Sequence, residues 1–569
     1  MILLKNQIHW FRKAMLCLIM LPVLSGCITT TPTTKPMVVA AHPLATKAGH
    51  DTLLSGGNAV DAAIAIQLVL GLVEPQSSGI GGGAFMLHYN NATQAVASYD
   101  GRETAPMSAT PTMFLDSSGK PRKFYDAVVG GLGVGVPGVL SMLELAHKEH
   151  GKLPWKQLFG PAILLAEAGF PLSPRLAGQI ARDKYLKLIP GTVDYFYQTD
   201  GSPNPAGTTI KNPEYANVLR AVSEHGAKAF YRGEIAESIV KTVQGAIRNP
   251  GGMTLNDLAN YQAKKRPAVC APYKTWRICG MGPPSSGGLT TLQILGILQN
   301  TDLADVPFGS AQYVHLVSEA SSLAFADRNH YMADADFIDV PSQGLLNADY
   351  LKSRAKLIDA HKAGGKKQPG IPQASTAFAP HTSHEGRSTT HMSIIDAYGN
   401  AVSMTSSVEN AFGSRLMSNG FILNNQLTDF SFRPEKSGLP VANRAEPGKR
   451  PRSSMSPTIV LNDNNQLVMV IGSPGGSRII GYVTKTILAT LDGGLDMTTA
   501  VAYPHFINRN GTTDLEKDTP LALLKGDLEG RGHKVNVRTL TSGLNGILIT
   551  PSGPSGGADP RREGVVIGE

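Results

Sequence analysis

Residues 384 to 408, "HEGRSTTHMSIIDAYGNAVSMTSSV", predict a β-hairpin at the centre of the fold. Beyond the charged start the side chains alternate with a period of two, so that Met392 and Ile394 share one face and His391 and Ser393 share the other. The tripeptide "YGN" predicts a turn, and "AVSMTSSV" then returns as a second strand. The pattern places several hydroxyl side chains where the first strand begins.

Those hydroxyls belong to Ser388, Thr389 and Thr390. A threonine hydroxyl is a poor nucleophile unless a base lies beside it, and a chain that begins at threonine supplies that base as its own α-amine, with a pKa near about 8. For Thr389 this requires cleavage of its bond to Ser388, which the same hydroxyl can start by attacking the Ser388 carbonyl. A Thr-Thr pair alone is also typical of an ordinary strand edge, because β-branched residues favour strands.

Composition indicates a soluble globular protein. The chain has 569 residues, of which 42% are apolar and 17% are charged, so we expect one large domain or two closely packed domains. The formal net charge is +8, and it falls to +5 when the three basic residues within positions 1–26 are removed. Basic runs are short, as in "GKRPR", and lack interleaved aromatic residues, so the sequence predicts no nucleic-acid partner.

The N-terminus predicts export. Basic residues precede the apolar run "AMLCLIMLPVL", which is too short to remain as a membrane-spanning helix, so residues 1–26 are interpreted as a signal peptide. The segment ends in "LSGC", which resembles the bacterial lipoprotein box and predicts lipidation of Cys27; an ordinary cleaved signal is the alternative. Ile28 favours an outer-membrane anchor, hence a periplasmic or cell-surface protein that meets the membrane only through this lipid. Residues 28–37, rich in Thr and Pro, predict a tether.

Two further cysteines, Cys270 and Cys279, bracket the segment "APYKTWRI". In an oxidising periplasm this spacing could close a hairpin by a disulfide. Two free buried thiols are the alternative.

The order of predicted elements indicates layered α and β structure. The stretch "AAHPLATKAGHDTLLSGGNAVDAAIAIQLVLGLVEP" predicts a helix hairpin, and residues 139–245 are mostly helical by periodicity. From Thr389 onward strands dominate, including "GFILNNQ" and the pair "SPTIVLND" and "QLVMVIGS", before the helix candidate "SRIIGYVTKTILATLDGG". Helices, then strands, then helices predict an α and β fold in layers.

A glycine-rich motif lacks the surroundings that a dinucleotide-binding site requires. Gly133, Gly135 and Gly138 in "GVGVPG" satisfy the pattern GxGxxG. However, Pro137 interrupts the turn, and no clean buried strand precedes it.

A possible metal site comprises His381, His384, Glu385 and His391. Their order does not match the His-Glu-x-x-His pattern of helical zinc proteases, and Gly386 argues against a helix. We therefore predict a solvated loop and no metal.

Several other polar segments contain residues that, taken singly, are common in proteins and do not indicate a functional site. In "GSPGGSR", Gly475 and Gly476 lie between a strand end and a helix start, where bare amides could face an oxyanion. Arg102 follows a strand, where a surface salt bridge is the usual role. The remaining candidates are adjacent hydroxyls or polar groups beside strands: Gln426, Asp429, Ser453 and Ser454.

Taken together and in order, these segments resemble the γ-glutamyltranspeptidase (glutathione hydrolase) family of N-terminal nucleophile hydrolases. The resemblance runs from "AAHPLATKAG" to the C-terminus and is carried by "GGNAVDAAIA", "SSGIGGGAF", "RETAP", "GVPG", "PPSSGG", "TTHMS", "NNQLTDF", "KRPRSSMSPT" and "GSPGGSR". It implies an α+β fold, the four-layer αββα sandwich. It also implies a precursor that cuts itself into a large chain, residues 27–388, and a small chain, residues 389–569, which together build one core.

The resemblance also implies roles for single residues. Thr389 would be the self-processing residue and the nucleophile, and Ser407 would bond to it at a position where the family usually has threonine. The other implied roles concern the oxyanion and the two ends of the substrate: Gly475 and Gly476 form the oxyanion hole, Arg102, Ser453 and Ser454 hold the α-carboxylate, and Glu409, Gln426 and Asp429 hold the α-ammonium.

The implied reaction transfers a γ-glutamyl group from glutathione or a related compound. Thr389 attacks the γ-carbonyl and releases the amine, and water, an amino acid or a dipeptide then takes the acyl group; no metal or organic cofactor is implied. Alternatives are a cephalosporin or glutaryl acylase, a poly-γ-glutamate depolymerase, or an inactive peptide-binding lipoprotein. Two carboxylates, Asp429 and Glu409, argue against substrates that lack a free ammonium.

Two further departures from the family pattern concern the pocket. Better-known members have asparagine at the position of Glu409, and a carboxylate there adds attraction for an ammonium. In several members a loop carrying a tyrosine covers the site, but the corresponding segment, residues 431–448, contains none. The resemblance therefore predicts a more open pocket.

Overall fold

The computed structural model describes residues 34–381, 386 and 388–568, and the structural statements below concern these residues. Its strands are, in chain order, β1 Met37–Ala40, β2 Gly83–Asn90, β3 Ala95–Gly101, β4 Phe170–Pro171, β5 Thr209–Ile210, β6 Lys264–Pro267, β7 Val269–Tyr273, β8 Trp276–Gly280, β9 Ser388–Ile395, β10 Ala401–Glu409, β11 Met417–Ser418, β12 Phe421–Ile422, β13 Glu435–Lys436, β14 Leu439–Pro440, β15 Thr458–Leu461, β16 Leu467–Gly472, β17 Phe506–Asn508, β18 Thr513–Glu516, β19 Val535–Arg538, β20 Asn545–Thr550, β21 Gly553–Ala558 and β22 Val565–Gly568.

The α-helices in the same part of the chain include several that pack on the sheets. They are α1 Pro43–Leu54, α2 Ala59–Val73, α3 Phe124–Val128, α4 Val139–His150, α5 Gly160–Ala168, α6 Pro174–Arg182, α7 Thr192–Phe196, α8 Pro213–His225, α9 Lys228–Tyr231, α10 Glu234–Gln244, α11 Leu255–Ala259, α12 Gly287–Leu298, α13 Ala311–Tyr331, α14 Ser342–Leu345, α15 Ala348–Ala355, α16 Ile479–Leu491, α17 Met497–Ala502 and α18 Lys525–Gly530. Of the described helices, none combines the length and apolar character needed to cross a bilayer.

Two large sheets contain most of the long strands. The first has the order β22-β1-β9-β10-β2-β3-β6, and the second has the order β21-β20-β16-β15-β8-β7. The predicted hairpin is confirmed as β9 and β10, an antiparallel pair near the middle of the first sheet, with Met392 opposite Met404 and Thr389 opposite Ser407.

The two sheets pack face to face. Val39, Leu87 and Ile395 of the first sheet contact a core cluster that includes Ile459 and Val470 of the second. Helices α1, α2 and α4 cover the outer face of the first sheet, and α12, α13 and α16 cover the outer face of the second. The α+β fold predicted by the resemblance, a four-layer αββα sandwich, is therefore confirmed.

The alternation in β9 follows from this layering. Met392 and Ile394 pack into the helical layer of the first sheet. Ser393 points the other way, and its hydroxyl donates to the carbonyl oxygen of Asn545 in the second sheet at 3.0 Å. Because each face of the strand meets a different layer, a shift of one residue would bury the wrong side chains.

The predicted helix hairpin is also confirmed as α1 and α2. Asn58 begins the second helix with a capping box, in which its side chain accepts from the amide of Asp61 and the Asp61 carboxylate accepts from the amide of Asn58. This pairing satisfies amides that have no partner within the helix. The break between α1 and α2 at "SGGN" is therefore determined by residues within this short segment.

The strand prediction for "GFILNNQ" is wrong beyond its first residues. Only Phe421 and Ile422 form a short strand, β12. Asn424 instead donates through Nδ2 to the carbonyl oxygens of Gly81 and Gly135, each at 2.8 Å. These side-chain bonds join loops from distant parts of the chain and compete with regular strand pairing.

The sequence did not indicate that both ends of the described chain join the first sheet. Strand β1 lies between β22 and β9, with Met37 opposite Gly568 and Ile395. The strand therefore begins one residue inside the predicted tether, because Met37 pairs on both sides.

The open question about the two cysteines is answered by a disulfide. Cys270 in β7 lies opposite Cys279 in β8, and the two sulfur atoms are bonded. The bond closes the β7–β8 hairpin at the edge of the second sheet.

We expect this disulfide to stabilise the fold measurably. It closes a loop with a sequence separation of 9 residues, for which loop-closure entropy predicts about 2 to 3 kcal/mol of the free energy of unfolding. Urea denaturation with and without a reductant measures the difference, and a Cys270→Ser/Cys279→Ser variant should be insensitive to the reductant. Peptide mapping of non-reduced protein after iodoacetamide treatment should find neither cysteine alkylated, and alkylation at both would contradict the bond.

Candidate active site

The predicted nucleophile lies at the start of β9, buried and in contact with its predicted partner. The Oγ1 atom of Thr389 is 3.2 Å from the Oγ atom of Ser407 in β10. Ser407 Oγ donates to the carbonyl oxygen of Ser388 at 2.9 Å and accepts from the amide of Glu409 at 2.8 Å. One hydroxyl therefore connects the predicted nucleophile with the carbonyl of the peptide bond that it would attack.

A β-bulge accounts for this arrangement. The register of β9 and β10 shifts between Ser407 and Glu409, so that Thr389 lies opposite Ser407 while Ser388 lies opposite Glu409. Glu409 adopts a φ of 81°, a left-handed conformation that costs a non-glycine residue free energy. Such local strain at the end of a strand is typical of functional sites.

Two distant segments hold the two residues on either side of that peptide bond. The hydroxyl of Ser388 donates to the carbonyl oxygen of Gln76, which follows α2. Arg562, seven residues before the C-terminus, donates through Nη1 to the carbonyl oxygen of Thr389 at 2.9 Å. Burial lowers the pKa of Arg562 to about 9. Sequence reasoning missed this arginine, since it lies far along the chain in a segment without a recognised motif.

The two glycines after β16 have conformations that other residues rarely adopt. Gly475 has a φ of 140° and Gly476 a φ of 60°. A Cβ atom on Gly475 would lie 2.7 Å from the Tyr482 ring. Gly476 begins a 3₁₀ turn that leads into α16, and no described residue accepts a hydrogen bond from either glycine amide. These amides are therefore suited to an oxyanion.

One pocket contains all of the predicted catalytic and substrate-binding residues except Gly475. Its lining combines the nucleophile, one oxyanion glycine and the two groups of substrate-binding candidates: Arg102, Gly386, Thr389, Ser407, Glu409, Gln426, Asp429, Ser453, Ser454, Met455, Gly476 and Ile479. The cavity measures about 20 Å³, which is room for about one water molecule. Gly386 lines it and donates its amide to the Glu409 carboxyl.

Arg102 forms a buried ion pair instead of a surface salt bridge. Its side chain is 1% exposed, and its Nη2 atom is 2.6 Å from Asp429 Oδ2. Backbone carbonyls of Pro451 and Arg452 accept further hydrogen bonds from the guanidinium, each at 3.0 Å. The groups predicted for the carboxylate and ammonium ends of a substrate are thus in direct contact. A buried pair of this kind needs such additional bonds to offset desolvation.

Gln426 and Asp429 lie on one 3₁₀ turn, Gln426–Asp429. Gln426 Nε2 donates to Asp429 Oδ2 at 2.6 Å. The Oε1 atom of Gln426 is buried, and no described residue donates to it. It is therefore an acceptor that a substrate ammonium could satisfy.

The Glu409 carboxyl is also buried in the pocket. It accepts from the Asn425 side chain and from the Gly386 amide. Burial, and then the negative charge of Asp429, raise the pKa of Glu409 well above its usual value. In the uncut chain this group therefore holds its proton at a pH where an exposed glutamate is charged.

The hydroxyls of Ser453 and Ser454 both accept hydrogen bonds from the protein. Ser453 Oγ accepts from the amide of Met455 at 3.0 Å, and Ser454 Oγ accepts from Arg328 Nη2 at 2.5 Å. The proton of Ser453 can then be donated to a carboxylate. Arg328, in α13, also donates from Nε to Ser286 Oγ at 2.9 Å. Sequence reasoning missed Arg328, although "PPSSGG" contains its partner Ser286 and its position in an otherwise buried helix was a signal.

The histidines considered for metal binding do not form a site in the described part of the chain. Both ring nitrogens of His391 face hydroxyls, Thr405 Oγ1 at 2.8 Å and Ser393 Oγ at 3.2 Å. Burial lowers the pKa of this histidine to about 3. His384 and Glu385 lie outside the described residues, and the described ones contain no cluster of three or more metal-binding side chains.

The glycine motif at residues 133–138 has a structural role. The amide of Gly135 donates to Asn424 Oδ1 at 2.9 Å, next to the candidate pocket. Helix α4 follows this loop, but the preceding regular element is the short helix α3, so no strand-turn-helix unit frames it. The predicted absence of that unit is confirmed.

The segment 431–448 contains a small exposed hairpin, β13 and β14. The amide of Ala379 donates to the carbonyl oxygen of Pro440 in this hairpin at 2.9 Å. The hairpin is therefore attached to the segment that leads to the Ser388–Thr389 bond.

Comparison with known proteins shows which family the chain resembles over most of its length. The family described as gamma-glutamyltranspeptidase matches residues 45–569. The chain is 39% identical over 546 residues to a glutathione hydrolase proenzyme of Bacillus subtilis (strain 168), covering 94% of this chain and 91% of the relative. It is 35% identical over 540 residues to the acylase ACY 1 proenzyme of Pseudomonas sp. (strain SE83), covering 92% and 91%. The solved cephalosporin acylase of Bacillus halodurans superposes with a TM-score of 0.81 at 28% identity, covering 94% of this chain and 96% of that one.

Proposed function

The chain belongs to the gamma-glutamyltranspeptidase family, and on that premise we propose that it hydrolyses glutathione and related compounds and transfers their γ-glutamyl group through an ester on Thr389. The observation that carries this proposal is the shared pocket of Thr389, the amide of Gly476 and the Arg102–Asp429 pair. A nucleophile, an oxyanion donor and a charged clamp for an amino-acid end are the parts that acyl transfer from a γ-glutamyl donor needs.

Maturation is proposed to begin within the uncut chain. Thr389 Oγ1 attacks the carbonyl carbon of Ser388, whose oxygen already accepts from Ser407 Oγ. The peptide C–N bond breaks, its nitrogen becomes the α-amine of Thr389, and an ester joins the two residues. Water then hydrolyses the ester, which leaves a carboxylate on Ser388 and a free hydroxyl on Thr389. The chains are residues 27–388 and residues 389–569, and the new amine, with a pKa near about 8, is the base for later turnovers.

In turnover, the segment around Gly386 leaves the pocket and the γ-glutamyl group takes its place. We assign its α-carboxylate to Arg102, Ser453 and Ser454. Its α-ammonium is assigned to an acceptor set of three side chains: Glu409, Gln426 and Asp429. The amine of Thr389 takes the hydroxyl proton and passes it to the leaving amine, while the glycine amides stabilise the tetrahedral oxyanion. Water or an acceptor amine then repeats these steps on the ester.

An acylase is the second candidate, because an acylase and a cephalosporin acylase are among the similar proteins. The distinguishing groups are Asp429 and Gln426, which offer acceptors to an α-ammonium inside a buried pocket. A glutaryl group has the same chain length and carboxylate as a γ-glutamyl group but lacks that ammonium. It would leave these acceptors unsatisfied, which costs free energy.

The location of the protein remains a proposal from sequence. We propose export, lipidation at Cys27 and an outer-membrane anchor, with a periplasmic or cell-surface catalytic domain. Cys27 and the signal segment lie outside the described residues. The acceptor of the γ-glutamyl group is proposed to be water, an amino acid or a dipeptide.

We expect the wild-type protein to mature into two fragments and a Thr389→Ala variant to remain whole. Denaturing mass spectrometry measures both. Ser407→Ala should slow maturation about 100-fold, the usual scale for loss of one oxyanion donor, whereas Ser407→Thr retains the hydroxyl and should mature at a similar rate. A wild-type chain that stays intact after prolonged incubation would leave Thr389 without its amine base and would favour the binding-protein alternative.

A matched pair of substrates tests the function. We expect γ-glutamyl-p-nitroanilide to be cleaved with a kcat/KM at least about 10-fold above that of glutaryl-p-nitroanilide, because loss of a hydrogen bond to a charged group costs about 1.5 to 3 kcal/mol. Release of p-nitroaniline measures both reactions. The Asp429→Asn variant should have a smaller ratio of kcat/KM for the γ-glutamyl anilide to kcat/KM for the glutaryl anilide. Equal or reversed preference would assign the site to an acylase.

The raised pKa of Glu409 predicts a pH dependence of binding. A carboxyl group attracts an ammonium only when it is deprotonated, so KM for γ-glutamyl-p-nitroanilide should fall as pH rises through the raised pKa of this group. Glu409→Asn removes the titrating group and should flatten KM over the same range. The pH profile of kcat, which reports the protonation of the Thr389 amine, should have the same form in this variant as in the wild-type protein. An unchanged KM profile in the variant would exclude Glu409 as its source.

A further inference from the structure

A buried arginine lies near the Glu409 carboxyl but does not line the candidate active site. Arg415 belongs to the connection between β10 and β11. It is absent from the residues that form the pocket around Thr389 and Glu409. None of the predictions from sequence concerned this arginine, although it follows the strand that carries Ser407 and Glu409.

The connection that carries Arg415 is strained. Glu409, Phe412 and Arg415 have φ angles of 81°, 60° and 65°. These left-handed conformations cost non-glycine residues free energy, and they persist only where the surrounding structure fixes them. Arg415 supplies part of that support, because its Nη1 atom donates to the carbonyl oxygen of Gly413 at 2.7 Å.

A carboxylate at the end of α6 holds the guanidinium group. Asp183 Oδ1 accepts from the amides of Tyr185 and Leu186 at 2.8 Å and 2.9 Å. Asp183 Oδ2 lies 2.7 Å from Arg415 Nη2, and the side chains of the arginine and the aspartate are 2% and 7% exposed. The rings of Tyr125 and Tyr185 lie 5.7 Å and 5.9 Å from the guanidinium carbon. The guanidinium is therefore held in one orientation.

Hydrogen bonds connect this guanidinium with the Glu409 carboxyl. Arg415 Nη2 donates to Asn410 Oδ1 at 2.9 Å. The backbone amide of Asn410 donates to Asn425 Oδ1 at 3.0 Å. Because the oxygen of the Asn425 side chain is used in this way, its Nδ2 atom faces the Glu409 carboxyl and donates to it. Arg415 thus fixes the residue that orients this donor.

The charge of Arg415 also acts on Glu409. Burial raises the pKa of Glu409 most, the charge of Asp429 raises it further, and the charge of Arg415 lowers it. Arg102 is paired with Asp429, and the amine of Thr389 would add a positive charge after maturation. Arg102 is assigned to the substrate carboxylate, whereas Arg415 lies outside the pocket and can favour the charged form of Glu409 without binding the substrate.

We propose that Arg415 is a positioning residue for the α-ammonium of the substrate, because it orients the amides that hold the Glu409 carboxyl in the pocket. This inference rests on the proposed function and deepens it, since a residue outside the pocket controls one of the ammonium acceptors. The hydrogen bonds of Arg415 go to Asp183, Asn410 and Gly413. It should therefore act on substrate binding and not on the acyl-transfer step.

Steady-state kinetics with γ-glutamyl-p-nitroanilide test this division. Arg415→Met should raise KM about 10-fold at a pH where Glu409 is charged, the scale for loss of a hydrogen bond to a charged group, and should leave kcat within about 2-fold. Arg415→Lys retains the charge but loses the forked donors, so its KM should lie between those of the wild-type protein and Arg415→Met. An unchanged KM in Arg415→Met, or a fall in kcat as large as the rise in KM, would overturn the proposal.

The pH dependence of KM distinguishes positioning from a general loss of structure. Arg415→Met removes a positive charge near Glu409, so the fall in KM should move to higher pH by about 0.5 pH unit or more. Asp183→Asn removes the negative charge of the same ion pair, so the fall should move to lower pH. A structural role alone would move neither midpoint or would move both in the same direction, and either result would contradict the proposal.

A matched control removes a buried guanidinium from another ion pair. Arg354 in α15 lies 3.3 Å from Asp327 in α13, and both residues are buried. Arg354→Met should lower the free energy of unfolding but leave the midpoint of the KM profile at its wild-type pH. A midpoint that moves as far as in Arg415→Met would show that loss of any buried arginine has this effect, and the proposal would fail.

A titration without turnover tests the inference separately from the proposed function. In the uncut Thr389→Ala protein, NMR of labelled glutamate carboxyl carbons measures the pKa of Glu409, whose signal is assigned by its loss in a Glu409→Gln variant. Arg415→Met should raise this pKa, and Asp183→Asn should lower it. If the wild-type protein does not cleave the anilide, the proposed function fails. If the pKa of Glu409 is the same in both variants as in the parent protein, this inference fails.

Discussion

The position of one hydroxyl, that of Ser407, is the constraint on which the rest of the site depends. It lies 3.2 Å from Thr389 Oγ1 and 2.9 Å from the Ser388 carbonyl oxygen. This geometry exists because β9 and β10 pair in one register and the bulge at Glu409 ends that register. The four layers bury a different set of side chains on each face of the hairpin, so a slip would misplace both hydroxyls and disrupt two cores. The stability of the fold and the geometry around the Ser388–Thr389 peptide bond therefore depend on the same register of β9 and β10.

The pocket beside this bond concentrates buried charge. Arg102 and Asp429 are paired with almost no exposure, and Glu409 lies close enough for the charge of Asp429 to raise its pKa. Burying such groups costs free energy, which backbone carbonyls and the Gln426 amide partly offset. Under the proposed function, these groups are donors and acceptors already oriented for the two ends of an amino acid.

In the uncut chain Gly386, three residues before Thr389, lines that same pocket. Gly386 donates to Glu409, and the space that remains is about 20 Å³. A donor that needs the pocket therefore competes with the chain itself until the bond is broken. Maturation under the proposed mechanism would produce the base and open the binding site in one event, so an unprocessed chain would be inactive for two physical reasons.

The sequence by itself determined the elements that local patterns encode. The period-two alternation of β9, the turn at Gly399, the capped start of α2 at Asn58 and the glycine turn at Gly475 are visible without a structure, because each depends on neighbours within a few residues. An ordered set of motifs, matched to a known family, further predicted the candidate site residues. Only the tertiary structure decided that Met37 joins the central sheet.

The tertiary structure also decided that Arg102 pairs with Asp429, which is 327 residues away in the chain. It likewise decided that Arg328 donates a hydrogen bond to Ser454 and that Arg562 donates one to the carbonyl oxygen of Thr389. Each of these contacts joins residues that are at least 126 positions apart. They depend on how the layers stack, and no local periodicity carries that information.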